Sequence, residues 1–259
     1  MSKPAPRVVE VIESFRVTPN MQRIVLGGTT LENFPETRPG AYVKLLFDLN
    51  GVPVVEPTKD KPVAMRTYTI NSFDRQKAQM TIDMMVHVKD GVTGPAAAWA
   101  LSAKEGDKLT IAGPGSSKAL TEDYDWVLFA GDMTALPSIR NYLQALPSHT
   151  KGIAVIAIEH ESDATVLEKP EGVSIQWVSK KEATLSDAVQ RTNWPQGTPA
   201  VWVACEFSQM RKIRSWLKDE KQVPHSQVYI SSYWREGRSE DQHKIDKRQD
   251  VEAFAKQLA

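Results

Sequence analysis

The first half of the chain alternates short apolar runs with turn residues. Turn-forming residues such as Thr18-Pro19-Asn20 and Pro39-Gly40 separate runs that are rich in strand-forming residues. We place strands at residues 7–17, 21–26, 41–47, 66–70, 80–88 and 108–112. Short strands divided by turns are typical of an antiparallel barrel. The pattern therefore predicts a six-stranded antiparallel β barrel in this half of the chain.

The pattern changes after Gly113-Pro114-Gly115, where continuous apolar runs begin to alternate with helical segments. The run from Trp126 to Ala130 is apolar throughout, which is typical of a buried parallel strand. We predict further strands at residues 153–158, 173–178, 200–204 and 227–233, and helices at residues 137–146, 185–191 and 208–219. Ser208 is the expected N-cap of the last helix. This alternation predicts a doubly wound parallel sheet of the nucleotide-binding kind.

The change of pattern also predicts the domain organisation. We place the boundary near residues 118–125, with a barrel domain at 1–120, an α/β domain at 121–238 and a helical extension at 239–259. Apolar residues in the extension have the spacing of an amphipathic helix; they are Val251, Phe254, Ala255 and Leu258. We expect this helix to pack against the body of the protein, although it could also serve a partner.

Composition narrows the classes of function. The 259 residues contain 32 Lys plus Arg and 32 Asp plus Glu, so net charge favours neither nucleic acid nor membrane as a partner. The single cysteine, Cys205, excludes an internal disulfide, and its apolar surroundings indicate a buried structural thiol. The five histidines are scattered, so no metal site is expected.

The same sequence gives an expectation for localisation. Residues 1–7 lack the apolar core of a signal peptide, and no apolar run approaches the length of a membrane span. We therefore expect a cytoplasmic protein. As a separate expectation, we take it to be a monomer.

One strand of the predicted barrel carries residues suited to a cofactor. In Arg66-Thr67-Tyr68-Thr69, alternation places Arg66 and Tyr68 on one face and the two threonines on the other. Arg66 can bind a pyrophosphate with its fork of donors, Tyr68 offers an aromatic face, and Thr69 offers a hydroxyl or backbone group to a heteroaromatic edge. These residues also favour strands, so an ordinary sheet strand fits them as well.

A short alanine-rich stretch follows, with Gly94-Pro95 before it. Proline is suited to the first turn of a helix, and the free amides of that turn attract phosphate. A plain connector helix would have the same sequence. Between this stretch and the first motif lies Met84-Met85-Val86-His87, about one strand after Arg66.

A second candidate region follows the first strand of the α/β half. The loop from Gly131 to Pro137 lacks the Gly-x-Gly-x-x-Gly fingerprint of dinucleotide-binding loops. Ligands of doubly wound sheets nevertheless bind at the carboxyl ends of strands, where this loop and Cys205-Glu206-Phe207 are both expected.

Taken in order, these segments resemble those of the siderophore-interacting proteins, a branch of the ferredoxin-reductase-like flavoproteins that reduce ferric siderophores. The resemblance spans nearly the whole chain. It is carried by Arg66-Thr67-Tyr68-Thr69, Val86-His87, Thr93-Gly94-Pro95-Ala96, Trp99-Ala100, Ala130-Gly131-Asp132-Met133-Thr134-Ala135-Leu136-Pro137, Ala204-Cys205-Glu206 and Tyr233-Trp234-Arg235-Glu236-Gly237.

The resemblance implies an FAD cofactor and an electron donor that is NADH, NADPH or ferredoxin. The FAD-binding residues it implies are Arg66, Thr67, Tyr68, Thr69, Met84, Val86, His87, Thr93, Gly94, Pro95, Ala96 and Thr134. Those implied for the nucleotide or donor are Gly131, Asp132, Glu206 and Trp234. Because the flavin carries the electrons, no side chain is expected to act as a nucleophile or an acid/base group.

The resemblance also implies a cationic site for the ferric siderophore, formed by Lys44, Lys118 and Arg235. Cations raise the local concentration of an anionic ligand and orient it. The family commonly has arginine after the Gly-Pro pair, whereas this chain has Gly115, and Lys118 is the nearest substitute.

The residues after the second parallel strand indicate which nicotinamide nucleotide would be the preferred electron donor. It reads Glu159-His160-Glu161-Ser162-Asp163, which would repel a 2′-phosphate and can accept a bond from a ribose hydroxyl. We therefore expect NADH to reduce the flavin faster than NADPH; a solvated loop without nucleotide contact is the alternative.

Two other functions are compatible with the sequence. One is an NAD(P)H:flavin or ferredoxin-type reductase whose acceptor is a protein. The other is a siderophore-binding protein without turnover, which flavin content and steady-state reduction would distinguish from a reductase.

Overall fold

The first half of the chain forms the predicted barrel. A computed structural model describes residues 5–86 and 94–258, with side chains as far as residue 255. The strands are β1 (Arg7–Thr18), β2 (Met21–Gly27), β3 (Tyr42–Phe47), β4 (Ala64–Asp74), β5 (Gln79–Met85) and β6 (Lys108–Gly115). They pair antiparallel and close in the order β1-β2-β5-β4-β3-β6. The prediction of a six-stranded antiparallel barrel is confirmed.

Alternate residues of these strands fill the barrel interior. The fully enclosed side chains include Val9, Val11, Ile24, Leu26, Val43, Leu45, Phe47, Met80, Ile82, Met84, Leu109 and Ile111. Their period of two is that of a strand with one face inward. Helix α1 (Pro95–Ser102) adds Trp99, whose ring lies 6.0 Å from that of Phe47 in an edge-on arrangement. Burial of these large side chains is the main stabilising term of the barrel.

Contacts divide the chain into two compact units, and the first contains more than the barrel. It consists of residues 1–119 together with residues 136–146 and 159–168. Helix α2 (Leu136–Ala145) and the short 3₁₀ turn Glu161–Asp163 therefore belong to this unit. The local sequence gave no indication of that arrangement. The predicted limits at residues 120 and 238 stay a prediction.

The second unit is built on a five-stranded parallel sheet. Its strands are β7 (Trp126–Gly131), β8 (Gly152–Ile158), β9 (Val173–Ser179), β10 (Pro199–Glu206) and β11 (Val228–Trp234), in the order β11-β10-β7-β8-β9. Helices α3 (Leu185–Gln190), α4 (Phe207–Ser215) and α5 (Glu240–Leu258) belong to it. The order reverses between β7 and β10, which confirms the doubly wound prediction and marks the switch point of the sheet.

Helix α4 begins one residue earlier than the sequence predicts. Its N-cap is Glu206, whose carboxylate accepts from the backbone N–H groups of Ser208 (2.6 Å) and Gln209 (3.2 Å). The Ser208 hydroxyl also donates to Glu206, so Ser208 is not the N-cap. Negative charge is favourable at a helix N-terminus, which makes a carboxylate a good cap here. The helix ends in a π-helical turn, Trp216–Glu220.

Helix α5 packs on the rest of its unit, as expected, but mainly through polar groups. Of its predicted apolar stripe, Phe254 is half-buried, with the centre of its ring 4.2 Å from the Arg214 guanidinium carbon. Val251 is 56% exposed and Ala255 is also exposed, while His243 is buried and bonds to Ser232 at 2.8 Å. Lys247 Nζ donates to the Ser232 carbonyl at 3.0 Å. Polar contacts dominate because the surface beneath the helix presents the Ser232 hydroxyl and carbonyl and the Arg214 guanidinium, which bind His243, Lys247 and Asp250 of the helix.

Burial shifts the pKa of two groups on this helix. Burial and the nearby charge of Lys247 lower the pKa of His243, and burial lowers the pKa of Lys247. The neutral form of His243 is thus favoured in the folded chain. Along the part of the chain that the structure describes, no helix has the length and apolar character needed to cross a membrane.

Candidate functional site

Strand β4 presents the Arg66 to Thr69 motif in the predicted alternation. Arg66 and Tyr68 are half-buried, with Tyr68 packed against the barrel core, whereas Thr67 is exposed and Thr69 is buried. Arg66 Nη1 donates to the Met65 carbonyl at 3.0 Å. Opposite these residues on β3 lie Leu45, Lys44, Val43 and Tyr42, in that order. The strand thus holds a guanidinium and an aromatic ring on one face and hydroxyl groups on the other.

Helix α2 is fastened to three successive residues of β4. The hydroxyl oxygens of Thr69 and Ser138 lie 2.9 Å apart. Asn141 Nδ2 donates to the Ile70 carbonyl at 2.8 Å, and Arg140 Nη1 donates to Asn71 Oδ1 at 3.0 Å. The helix therefore lies directly against the end of the predicted cofactor motif. Sequence reasoning missed this contact; the only signal was a set of polar residues on a helix otherwise suited to burial.

A buried carboxylate fixes the position of Arg140. Asp83 on β5 binds Arg23 through two bonds of 2.7 and 2.8 Å, and binds Arg140 at 3.2 Å. Burial lowers the pKa of Arg140 and outweighs the opposing effect of Asp83, whereas the hydrogen bond to Asp83 raises the pKa of Arg23. Arg23 of β2 and Arg140 of α2 bind the same carboxylate on β5, so this network fixes the position of α2 relative to the barrel strands.

The other residues predicted for FAD lie on β5 and at the start of α1. Met84 is fully enclosed in the barrel core, and Val86 is buried, with its N–H donating to the Asn20 carbonyl at 2.9 Å. Gly94 is exposed and precedes Pro95, the first residue of α1, while Ala96 is buried. The predictions for His87 and Thr93 fall outside the described residues.

These groups match the chemistry of FAD. Among the residues that the structure describes, no atom lies within 4 Å of a Cβ built on Gly94. The first amides of a helix have no acceptor within it and attract phosphate. Arg66 adds guanidinium donors and Tyr68 a half-buried ring. The donor set therefore suits a ligand with a diphosphate and a planar aromatic system.

In the second unit, the structure brings together the residues predicted for the electron donor. Asp132 follows β7, Glu206 ends β10 and Trp234 ends β11, so all three lie at the carboxyl edge of the sheet beside the switch point. Asp132 accepts from the backbone N–H of Glu206 at 2.9 Å and from Trp234 Nε1 at 2.8 Å. It also accepts from the Thr134 backbone and hydroxyl at 2.9 and 2.5 Å. Gly131 lies buried at the end of β7.

Burial is the main cause of the pKa shifts of two groups at this edge of the sheet, the Asp132 carboxyl and the Cys205 thiol. Burial raises the pKa of Asp132 above its usual range, against the lowering effect of its donors Thr134, Trp234 and Glu206. The ionised form of Asp132 therefore lowers the free energy of unfolding. This loss grows as the pH rises from the pKa of Asp132 in the unfolded chain to its higher pKa in the folded chain. Burial, then the charges of Asp132 and Glu206, raise the pKa of Cys205 well above its usual value. Cys205 remains a buried thiol, consistent with a structural role.

The three cations predicted for the siderophore have different settings. In the first unit, Lys44 is half-buried and Lys118 is exposed, with the Lys118 carbonyl accepting from the Tyr142 hydroxyl at 3.0 Å. In the second unit, Arg235 pairs with Asp246 of α5 at 2.7 Å and lies 4.7 Å from the centre of the Phe207 ring. The guanidinium of Arg235 is thus already bound to a carboxylate.

The structure explains why glycine follows the Gly-Pro pair. Gly115 is paired with Tyr42 across β3 and β6, and the Tyr42 ring lies directly over it. A Cβ at position 115 would be 2.2 Å from Tyr42 Cζ, a distance that no side chain tolerates. Arginine would fit at this position only if Tyr42 moved.

One carboxylate of the acidic loop at residues 159–163 stabilises the fold of the first unit. Asp163 is completely buried and accepts from Thr18 Oγ1 (2.6 Å), Asn20 N (2.9 Å), Asn20 Nδ2 (2.8 Å) and His160 N (3.1 Å). Burial alone would raise the pKa of Asp163, but these hydrogen bonds outweigh it and hold the pKa below its usual range. Its carboxylate is therefore unavailable to a ribose hydroxyl, and only Glu159 and Glu161 still support the expected preference for NADH.

Comparison with known proteins covers both halves of the chain. Residues 10–118 match the siderophore-interacting FAD-binding domain, and residues 124–237 match the siderophore-interacting protein model. The ferric vibriobactin reductase ViuB of Vibrio cholerae is 30% identical over 252 residues, which cover 91% of this chain and 92% of the relative. An NADPH-dependent ferric-chelate reductase of Escherichia coli is 28% identical over 241 residues, which cover 88% and 92%.

A solved structure agrees with these matches. The siderophore-interacting protein SipS from Aeromonas hydrophila superposes with a TM-score of 0.84 at 26% identity, over 95% of this chain and 98% of the other. The barrel, the parallel sheet, both family matches and the full-length similarity to ViuB support one conclusion. This chain belongs to the siderophore-interacting protein family.

Proposed function

We propose that this protein is an FAD-dependent reductase that reduces ferric siderophores and releases ferrous iron in the cytoplasm. The observation that carries the proposal is strand β4, which holds Arg66 and Tyr68 half-buried within the segment that matches an FAD-binding domain. The names of the V. cholerae and E. coli relatives, a ferric vibriobactin reductase and a ferric-chelate reductase, support the choice of substrate.

The residues of this chain would bind and orient the cofactor. When bound, FAD can accept a hydride and pass electrons singly to ferric iron. Arg66 and the first turn of α1 would bind the diphosphate, Tyr68 would contact the ring system, and Thr69 would bind its polar edge. The remaining residues proposed for this site are Thr67, Met84, Val86, His87, Thr93, Gly94, Pro95, Ala96 and Thr134.

The substrate site proposed here consists of Lys44, Lys118 and Arg235. A ferric siderophore with anionic groups would be attracted by these cations, and Arg235 would have to exchange its bond with Asp246 for one with the substrate. Arg238 lies 3.3 Å from the same Asp246 carboxylate and can remain as its partner. The exchange therefore does not leave Asp246 unpaired.

We expect the triple variant Lys44→Ala, Lys118→Ala, Arg235→Ala to raise KM for an anionic ferric siderophore about tenfold. Partly exposed ion pairs contribute about 0.5 kcal/mol each, and three correspond to about tenfold in affinity. KM for a neutral ferric siderophore should change little, and added salt should mimic the substitutions. Steady-state kinetics with both siderophores measure the difference.

A charge-matched control is Lys77→Ala, Lys104→Ala, Lys151→Ala, in which three exposed lysines are removed elsewhere. This variant carries the same net charge as the first and should keep both KM values. Equal KM increases in the two variants, or none in the first, would refute the proposed substrate site.

The electron donor proposed is a nicotinamide nucleotide or ferredoxin, bound near Gly131, Asp132, Glu206 and Trp234. The name of the E. coli relative supports NADPH, whereas Glu159 and Glu161 favour NADH. Stopped-flow reduction of the bound flavin by NADH, NADPH and reduced ferredoxin in turn would identify the donor. A clear preference for NADPH would show that the acidic loop does not face the nucleotide.

A further inference from the structure

The hydroxyl pair formed by Thr69 and Ser138 is enclosed within the first unit. Thr69 is 7% exposed and Ser138 is fully buried, and their oxygens are 2.9 Å apart. Thr69 directly follows Tyr68 in the motif proposed to bind FAD. Burying a hydroxyl costs free energy unless the hydroxyl forms a hydrogen bond. The bond to Ser138 therefore affects which hydrogen bonds Thr69 can form with a ligand.

The position of Ser138 is set by the helix around it. Asn141 and Arg140 hold α2 to Ile70 and Asn71, the next two residues of β4 after Thr69. Arg140 is held in turn by Asp83. Because these bonds fix the helix along the strand, the Ser138 hydroxyl is kept within bonding distance of Thr69 and has little freedom to move away.

A pair of hydroxyls can be arranged in two ways. If Ser138 donates to Thr69, the Thr69 proton is available to an acceptor elsewhere. If Thr69 donates to Ser138, the Thr69 oxygen can accept a hydrogen bond from an N–H or O–H group elsewhere. Oxidised flavin presents ring nitrogens with lone pairs at its polar edge, whereas reduced flavin carries an N–H there. The pair can match both forms of the flavin, because the hydrogen bond between Thr69 and Ser138 can run in either direction.

The two forms depend on Ser138 to different extents. Without Ser138, Thr69 can still donate to oxidised flavin. To accept from the N–H of reduced flavin, however, Thr69 must direct its own proton to an acceptor, and Ser138 is that acceptor in this geometry. Loss of Ser138 would then leave a buried donor unsatisfied in the reduced state alone.

We propose that Ser138 is a positioning residue of the flavin site, which acts through Thr69 and stabilises reduced FAD relative to oxidised FAD. The inference rests on the proposed function, because it requires FAD at β4. It assigns Ser138 no contact with the substrate and no part in proton transfer to it.

The test is the midpoint potential of bound FAD in the variant Ser138→Ala, together with the affinity of the apoprotein for oxidised FAD. Alanine is a good helix former and fits the space of serine, so the fold should be kept, and thermal melting checks this. We expect oxidised FAD to bind within about threefold of wild type. The substitution should weaken the binding of reduced FAD about tenfold more than the binding of oxidised FAD. This difference corresponds to a midpoint potential about 30 mV more negative.

Further variants separate this role from a merely structural one. Ser138→Thr keeps a hydroxyl and should restore the wild-type potential. Tyr142→Phe removes a hydroxyl of the same helix that bonds to Ser117 and the Lys118 carbonyl, and it should leave the potential unchanged. In a Thr69→Val background, Ser138→Ala should cause no further shift, since its partner is gone.

Two results would overturn the inference. One is a wild-type potential in Ser138→Ala. The other is an equal shift in the Thr69→Val background, which would show that Ser138 acts by another route. If the wild-type chain holds FAD and reduces ferric siderophores while either result is obtained, only the inference fails. A wild-type chain that takes up no FAD overturns both the inference and the proposed function.

Discussion

Arg66→Ala should remove most of the affinity of this protein for FAD. If Arg66 binds the diphosphate, its guanidinium forms charge-assisted hydrogen bonds, and each contributes roughly 1.5–3 kcal/mol. Since 1.4 kcal/mol corresponds to about tenfold, we expect FAD binding to weaken about tenfold to a hundredfold. Titration of the apoprotein with FAD, followed by quenching of flavin fluorescence, measures the dissociation constant.

Two further variants define what Arg66 contributes. Arg66→Lys keeps the charge but loses the planar fork, so an intermediate loss is expected. Arg16→Ala removes an exposed arginine of the same unit, whose guanidinium donates to the Pro19 carbonyl, and should bind FAD as the wild type does. Full flavin content and unchanged affinity in Arg66→Ala would show that β4 does not bind the diphosphate.

Asp163→Ala should strongly destabilise the first unit. The buried carboxylate accepts four hydrogen bonds, from the Thr18 hydroxyl, the backbone and side-chain N–H groups of Asn20, and the His160 backbone. Buried donors without a partner cost about 1–3 kcal/mol each, so a loss of about 3–5 kcal/mol is expected after partial relaxation. In a unit of this size that lowers Tm by more than about 10 °C. Thermal unfolding by circular dichroism measures it.

The pH dependence of this effect has a definite sign. The folded pKa of Asp163 lies below its unfolded value, so its contribution is fully present above the unfolded pKa, near about 3.9. That contribution disappears as pH falls through the folded pKa. The Tm difference between wild type and Asp163→Ala should therefore be constant at neutral pH and shrink in acid. Glu161→Ala, an exposed neighbour in the same turn, is the control. A constant difference down to the lowest pH would contradict the assignment.

The sequence was sufficient for the parts of the fold that follow a periodic rule. Alternation at residues such as Val9 and Val11 predicts barrel strands with one buried face, and the continuous apolar run from Trp126 predicts a parallel strand buried on both faces. The candidate site was predictable to the same degree. The alternation of Arg66 and Tyr68 with the two threonines follows from strand geometry alone.

What the sequence did not predict depends on polar contacts between distant segments. Ser138 and Thr69 are 69 residues apart, and no local pattern links them. Asp163 lies in a run of charged residues that is typical of a solvated loop. It is nevertheless completely buried, and it accepts hydrogen bonds from Thr18 at the end of β1 and from Asn20 in the turn that follows. The polar attachment of α5 was missed for a related reason, since His243 and Lys247 both bond to Ser232. Hydrophobic periodicity carries no information about such bonds.

The measurement that tests the central proposal most directly is a single turnover under anaerobic conditions. The purified protein is loaded with FAD, the flavin is reduced photochemically, and a ferric siderophore is added together with a ferrous chelator. We predict that the flavin is reoxidised and that two ferrous ions appear for each FAD, because the flavin carries two electrons. The gallium complex of the same siderophore, which cannot be reduced, should leave the flavin reduced. A flavin that stays reduced after mixing with the ferric complex would contradict the account.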